Sequence, residues 1–146
     1  MASTPRAGHI GISVTDLTVS SAFYREAFGF ELVAEDPARG HCFLGSGDQV
    51  VLTLWQQADQ PFTRERAGLH HLAFEVDSLA DVVAAEGRVK ALGARFVHDG
   101  VVAHAEGAVS GGIFFLDPDG TRLEIYAPAG VEAEAPHGEA PTCGFF

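Results

Sequence analysis

Two stretches of the chain alternate apolar and polar residues in the same way. The segments HIGISVTDLT (9–18) and HLAFEVDSLA (71–80) both begin with histidine, alternate in polarity, and then place Asp or Ser before Leu. Alternation with a period of two predicts a half-buried β-strand. Because the second segment repeats the design of the first, we infer an internal duplication with two copies.

Each predicted strand is followed by the same succession of elements. Helical patterns occur in TVSSAFYREAFGFEL and LADVVAAEGRVKALGARF, and they reach Gly29 and Gly93, where a left-handed residue is expected to close a helix. Two or three short strands then follow, with HCFLGSG and QVVLTLWQ in the first copy and GGIFFLD and TRLEIYAP in the second. A Gly-Ser-Gly-Asp turn joins the first pair, and Pro118-Asp119-Gly120 joins the second. Each half is therefore predicted as a strand, a helix and a short antiparallel meander.

Two segments stand outside this repeat. The polar segment QQADQPFTRERAG (56–68) links the halves, which cover about residues 7–56 and 68–128 of a domain that we place at 1–128. Residues 129–146 form a tail rich in Ala, Gly, Pro and Glu, a composition that is typical of disorder. This tail ends in Phe145-Phe146, an apolar tip that a solvated tail does not need.

Composition narrows the classes of partner. The chain has 146 residues and a formal net charge of -11, and no basic patch is available for nucleic acid or an anionic membrane. The first residues have no apolar core of a signal peptide, and no run of residues is long enough to span a bilayer. Two distant cysteines, Cys42 and Cys143, fit a reducing compartment, so we expect a cytoplasmic protein.

Three polar residues share a position relative to the predicted core. Alternation places His9, His71 and Glu124 opposite the apolar residues of their strands, while His70 has the parity of the apolar residues. Two imidazoles and one carboxylate suit Zn, Fe, Mn or Ni and leave positions open for a substrate. One histidine at a strand end is more often an ordinary surface residue, but two of these three occupy equivalent positions in the repeat. We therefore predict a divalent metal site at His9, His71 and Glu124, without His70.

The segments HIGISVTDLTVSSAFYREAFGFEL, GLHHLAFEVDSL and FFLDPDGTRLEIYAP resemble the vicinal oxygen chelate superfamily, the group of glyoxalases, bleomycin resistance proteins and extradiol dioxygenases. The resemblance covers about residues 7–128. It implies an α+β fold in which two paired βαβββ modules form a cupped mixed sheet, with the helices on the outer face. It also implies metal ligands at His9, His71 and Glu124, and a homodimer. Some relatives have a fourth ligand, and that position falls on Thr53, a poor ligand, which indicates a three-ligand member.

The resemblance leaves two functions open. The first is a metal-dependent enzyme in which vicinal oxygens of a small organic substrate chelate the ion, with lyase or isomerase, transferase or dioxygenase chemistry. Glu124 is then also the candidate catalytic residue, and His104 and Glu75 are candidate acid–base groups. Phe114 replaces a tyrosine usual in the dioxygenases, and Gly11 replaces the Thr or Cys usual in fosfomycin thiol transferases, so neither activity is assigned. The second function is an antibiotic- or natural-product-binding resistance protein without turnover.

Residues around the predicted metal site are expected to form the substrate pocket. Small side chains keep its floor open and aromatic side chains form its wall. The candidates are Gly11, Ser13, Thr53, Trp55, Ala73, His104 and Phe114. We further predict that the apolar end of the tail docks at or near this pocket, in its own or a partner chain, as a lid or a placeholder for substrate.

Overall fold

The computed structural model describes all residues, Met1–Phe146, and the chain divides into two units, Met1–Pro61 and Phe62–Phe146. Each unit contains one α-helix and a four-stranded mixed sheet. The division lies inside the polar segment 56–68. The α+β class and the two βαβββ modules predicted from the sequence are confirmed.

The first unit contains β1 (Ile10–Ser13), α1 (Leu17–Phe28), β2 (Glu31–Asp36), β3 (His41–Ser46) and β4 (Gln49–Trp55). Its sheet has the order β1-β4-β3-β2. Strand β1 pairs parallel with β4, and the two other pairings are antiparallel. A parallel pair needs a long crossover connection, and α1 begins that connection.

The second unit contains β5 (Leu72–Glu75), α2 (Leu79–Ala91), β6 (Val102–Ala103), β7 (Gly111–Leu116) and β8 (Arg122–Ala127). Its sheet has the order β5-β8-β7-β6, the same order as in the first unit. Strand β5 again pairs parallel with β8, which pairs antiparallel with β7. The positions of β7 and β8 thus agree with the two strands that the sequence predicts on either side of Pro118-Asp119-Gly120.

Both helices begin and end as their sequences indicate. The side chains of Asp16 and Ser78 accept hydrogen bonds from backbone N–H groups in the first turns of α1 and α2. Beyond the helices, Gly29 and Gly93 have φ angles of 73° and 70°, the left-handed conformation that favours glycine. Neither helix has the length and apolar character that crossing a membrane requires.

Each sheet packs its apolar side chains against its own helix. In the second unit, Val82, Ala85 and Val89 of α2 are fully buried, and α2 packs on β7 and β8. Leu123 and Ile125 of β8 are buried as well, so the predicted alternation holds. Full burial of each large aliphatic side chain stabilises the fold by roughly 1.5–3 kcal/mol. Alternation consequently places Arg122, Glu124 and Tyr126 on the opposite face of β8, which we call the polar face.

The tail packs on the second unit, although its composition is typical of disorder. The backbone N–H of Ala103, in edge strand β6, donates to the carbonyl of Glu134 at 3.0 Å. Thr142 is fully buried, and its hydroxyl donates to the carbonyl of Ala103 at 2.6 Å. Val131 is buried too. These contacts cover a sheet edge that otherwise presents unpaired backbone groups, and they offset the entropy lost when the tail is ordered.

Candidate functional site

A buried carboxylate lies at the centre of the polar face. Glu124 is only 2% exposed, and each of its oxygens faces one imidazole. Its Oε1 lies 2.5 Å from Nε2 of His104, and its Oε2 lies 3.7 Å from Nε2 of His71. A carboxylate that leaves water needs such partners, because burial of an unpaired charge is costly.

The pairing of the strands brings these groups together. Ala73 of β5 lies opposite Glu124 of β8, and Phe114 of β7 lies opposite Glu124 on the other side. His71 immediately precedes β5 and shares the parity of Ala73, so its ring reaches the same face. The second unit thus brings together the predicted residues His71, Ala73, His104, Phe114 and Glu124.

His70, which was predicted to be no ligand, contacts its neighbour and an arginine. Its Nε2 lies 3.3 Å from Nη1 of Arg122, and its Nδ1 lies 2.7 Å from Nδ1 of His71. A guanidinium has only donors, so Nε2 of His70 must accept and a neutral ring donates from Nδ1. His71 then accepts at Nδ1 and carries its own proton on Nε2, facing Glu124.

Burial sets the protonation state of His71. Burial lowers the pKa of His71 below its ordinary value, and the electrostatic effects of its neighbours His70 and Arg122 act in the same direction. The carboxylate of Glu124 raises that pKa but does not offset burial. His71 is therefore neutral near pH 7, which is the form of imidazole that binds metal ions.

Two further contacts on this face were not predicted from the sequence. Nδ1 of His104 lies 2.8 Å from Oγ of Ser110, so His104 links a hydroxyl to the buried carboxylate. The hydroxyl of Tyr126 donates to Glu75 at 2.9 Å, and this hydrogen bond raises the pKa of Tyr126. Arg122 and Tyr126 share the parity of Glu124 in β8, so the alternation of the strand is sufficient to place their side chains on the polar face. Ser110 lies in a loop, where no periodicity indicates its direction.

The end of the tail covers the polar face of the second unit. The Phe146 ring lies with its centroid 5.3 Å from that of His71 and 5.1 Å from that of Phe114. The Arg122 guanidinium carbon lies 5.6 Å from the centre of the same ring. The predicted docking of the tail beside the pocket residues is thus found within one chain. Only Phe146 docks there, because Phe145 is half exposed and stacks on His137 instead.

The first unit holds the other predicted residues. His9 is exposed and immediately precedes β1, and Ser13 ends that strand. Gly11 of β1 lies opposite Thr53 of β4, just as Ala73 lies opposite Glu124. The indole N–H of Trp55 donates to the Thr53 hydroxyl at 3.0 Å. A Cβ on Gly11 would lie only 3.0 Å from that hydroxyl oxygen, so Thr53 and Trp55 occupy the space above the glycine.

The donor set of the second unit fits a divalent ion in type and spacing. Metal–nitrogen and metal–oxygen bonds of about 2.0–2.2 Å allow two ligand atoms separated by up to roughly 4 Å to share an ion. The 3.7 Å between His71 Nε2 and Glu124 Oε2 meets this condition. A ligating Nε2 carries no proton, so the proton of His71 would have to move to Nδ1. The structure itself contains no group of three or more His, Cys, Asp and Glu side chains that could hold a metal ion.

Comparison with known proteins identifies the family. Residues 6–125 match the model of the Glyoxalase/Bleomycin resistance protein/Dioxygenase superfamily. The chain is 34% identical to the uncharacterized protein YaeR of Escherichia coli, over 81% of this chain and 92% of YaeR. It is 30% identical to a trivalent organoarsenical cleaving enzyme of a Bacillus strain, over 92% of this chain and 80% of that enzyme.

Solved structures agree with the family assignment. A glyoxylase/bleomycin resistance protein/dioxygenase domain from Frankia superposes with a TM-score of 0.69 at 25% identity, over 86% of this chain and 99% of the Frankia chain. The superfamily includes dioxygenases, lyases, transferases and resistance proteins, and its members usually use divalent metal ions. The chain therefore belongs to the Glyoxalase/Bleomycin resistance protein/Dioxygenase superfamily.

Proposed function

We propose that this chain is a divalent-metal-dependent enzyme that acts on a small organic substrate with vicinal oxygen atoms. The observation that carries the proposal is the buried carboxylate of Glu124, flanked by His71 and His104. A purely structural core position would favour an apolar side chain, because the burial of ionisable groups costs free energy. A cluster of this kind on the polar face is better explained by chemistry than by packing.

The proposed ligands are His9, His71 and Glu124. Burial keeps His71 neutral, and the strand pairing holds Glu124 on the same face. His9 belongs to the first unit, and Thr53, at the position equivalent to Glu124, supplies no carboxylate. Three protein ligands leave coordination positions for the oxygens of a substrate. When bound, a Zn, Fe, Mn or Ni ion would supply a Lewis acid to those oxygens.

His104 is the proposed acid–base group. Its two ring nitrogens contact Glu124 and Ser110, so it can hold a proton at either end and exchange it with the hydroxyl. Glu75, the other candidate from the sequence, hydrogen-bonds Tyr126 on the same strand pair. Because His104 contacts Glu124 directly and Glu75 has no such contact in the structure, His104 is the better of the two candidates.

The test is the metal content of the protein purified without chelator, with the affinity measured by competition. The wild type is expected to bind about one ion per chain, and His9→Ala, His71→Ala and Glu124→Gln are each expected to lose at least about 100-fold in affinity. The matched controls are His137→Ala and Glu139→Gln, which change exposed residues of the same types in the tail. Both are expected to bind as the wild type does.

Two results would count against the proposal. A wild-type protein that takes up none of the four ions at micromolar concentration would rule out metal dependence. Tight retention of a natural product by both the wild type and His71→Ala, without metal or turnover, would favour the resistance-protein function instead.

A further inference from the structure

The second unit contains a cavity of about 440 Å³ whose lining has more positively than negatively charged side chains. Three arginines line it, Arg64, Arg95 and Arg122, against one acidic residue, Glu65. Glu65 is exposed and already pairs with Thr63 and Arg64. In a chain with a formal net charge of -11, this local excess of positive charge needs an explanation.

Arg122 is the informative member of the group. It is only 8% exposed, although arginine is almost never buried without a charged partner. Its contacts are Nε2 of His70 at 3.3 Å and the Phe146 ring, and none of the ion pairs in the structure includes it. A guanidinium has five N–H donors in a planar fork, and neither contact supplies a negative charge. The carboxylate of Glu65 acts on Arg122 only at longer range, and it is exposed and paired with Arg64.

The position of Arg122 relates the cavity to the proposed metal ligands. Arg122 and Glu124 are two residues apart on one face of β8, which separates them by roughly 7 Å along the strand. Phe146 lines the cavity and also stacks on His71. A ligand anchored at Arg122 therefore needs only a short body to reach Glu124.

We propose that this cavity binds the oxyanion of a small organic acid, a carboxylate or a phosphonate or phosphate, with Arg122 as the anchor. The guanidinium fork matches such anions in shape and charge. Arg95 and Arg64 add long-range attraction from the exposed side, and Phe62 and Phe96 line the space for the organic part. The volume falls within the range of small-molecule sites, so the cavity has room for more than a bare anion.

The inference deepens the proposed function because it names the class of substrate. It rests on that function only in treating the bound anion as a substrate. Anion binding itself requires no metal. The site can therefore be tested in protein stripped of metal with a chelator, and the two proposals can fail separately.

The experiment is calorimetric titration of the metal-stripped full chain with phenylphosphonate, benzoate, inorganic phosphate and benzylamine. The wild type is expected to bind phenylphosphonate and benzoate but not benzylamine. The aryl anion that binds more tightly shows whether the site prefers a phosphonate or a carboxylate. Arg122→Gln is expected to weaken binding by about tenfold or more, since a charge-assisted hydrogen bond is lost. Arg39→Gln makes the same charge change at an exposed residue of the first unit and is expected to bind as the wild type does.

A second variant covers the case in which Arg122→Gln does not fold. Arg95 is exposed, so Arg95→Gln is expected to fold and to weaken aryl-anion binding a few-fold, with a loss that shrinks in high salt. Unchanged affinity in both variants, equal binding of benzylamine, or no binding by the wild type at millimolar concentration would overturn the proposal. Anion binding by His71→Ala with lost metal affinity would leave this proposal standing by itself.

Discussion

The two units repeat one backbone but present different side chains at equivalent positions. Phe43 and Thr53 are paired in the first sheet as Phe114 and Glu124 are paired in the second. Along the neighbouring positions of the last strands, Val51, Thr53 and Trp55 correspond to Arg122, Glu124 and Tyr126. At these three positions the first unit has neutral side chains, whereas the second unit has ionisable ones. The comparison shows that strand register fixes where a side chain points, while chemistry depends on which residue occupies each place.

The largest expected effect concerns the central pair of this comparison. We predict that Glu124→Gln lowers divalent-metal affinity by at least about 100-fold, whereas Thr53→Val changes it by less than about threefold. The reason is that Glu124 offers a buried carboxylate beside His71, while the hydroxyl of Thr53 already accepts from Trp55. Chelator competition on the two variants measures this difference. Equal losses would show that both units contribute a ligand at this position.

The fold could be predicted from the sequence because the local signals in the sequence agree with the tertiary structure. Alternation identified both first strands, and Gly29 and Gly93 have the left-handed conformation expected beyond the two helices. The irregular pairing of β3 with β4 at Gly45 was not predicted from the sequence. A Cβ there would lie 1.8 Å from the carbonyl oxygen of Gln49, so the position requires glycine. A close approach between two strands leaves no periodic signal in either strand.

The site was predicted only in part, for a related reason. Parity placed His71 and Glu124 on one face, and they do lie together. For His70, parity did not predict its surroundings, because β5 begins at Leu72 and alternation does not extend to a residue two positions earlier. The contacts of Ser110 and Phe146 join distant parts of the chain through a loop and a tail, for which the sequence offers composition but no direction.

The tail gives the second prediction, because it belongs to the second unit alone. We expect Thr142→Val to lower the free energy of unfolding by about 1–3 kcal/mol, since the carbonyl of Ala103 loses the buried hydroxyl that donates to it. Urea denaturation measures the change. Thr63→Val, at a half-buried residue, serves as the control and is expected to have a smaller effect. If both variants match the wild type, the hydrogen bond of Thr142 contributes nothing to the stability of the second unit.

The third prediction separates the two final phenylalanines. Phe146 stacks on His71, whereas Phe145 stacks on His137, so only Phe146→Ala is expected to expose the His71 ring. We predict that modification of His71 by diethyl pyrocarbonate, followed by mass spectrometry, becomes several-fold faster in Phe146→Ala and stays unchanged in Phe145→Ala. Such a result would support the interpretation of Phe146 as a lid. Equal rates in both variants and the wild type would exclude it.

The smallest expected effect is a dependence of stability on pH that arises in the second unit. Burial lowers the pKa of His98 below its ordinary value, and the nearby His137 lowers it further. The Nε2 atom of His98 is buried without a hydrogen-bond partner, which agrees with a ring that resists protonation. The unfolded chain therefore binds a proton near pH 6.5 that the folded chain does not yet bind. Stability is fully present above that pH and decreases as the pH falls from there toward the lowered pKa of the folded state.

Two measurements check this dependence. Histidine NMR titration should give a pKa for His98 below that of the unfolded chain, and urea denaturation should show a smaller loss between pH 7 and pH 5 in His98→Phe than in the wild type. Phenylalanine cannot be protonated, so this variant removes the effect while retaining an aromatic ring against Phe114. An identical decline in both proteins would assign the pH dependence to other groups, of which His71, with its own lowered pKa, is the first to examine.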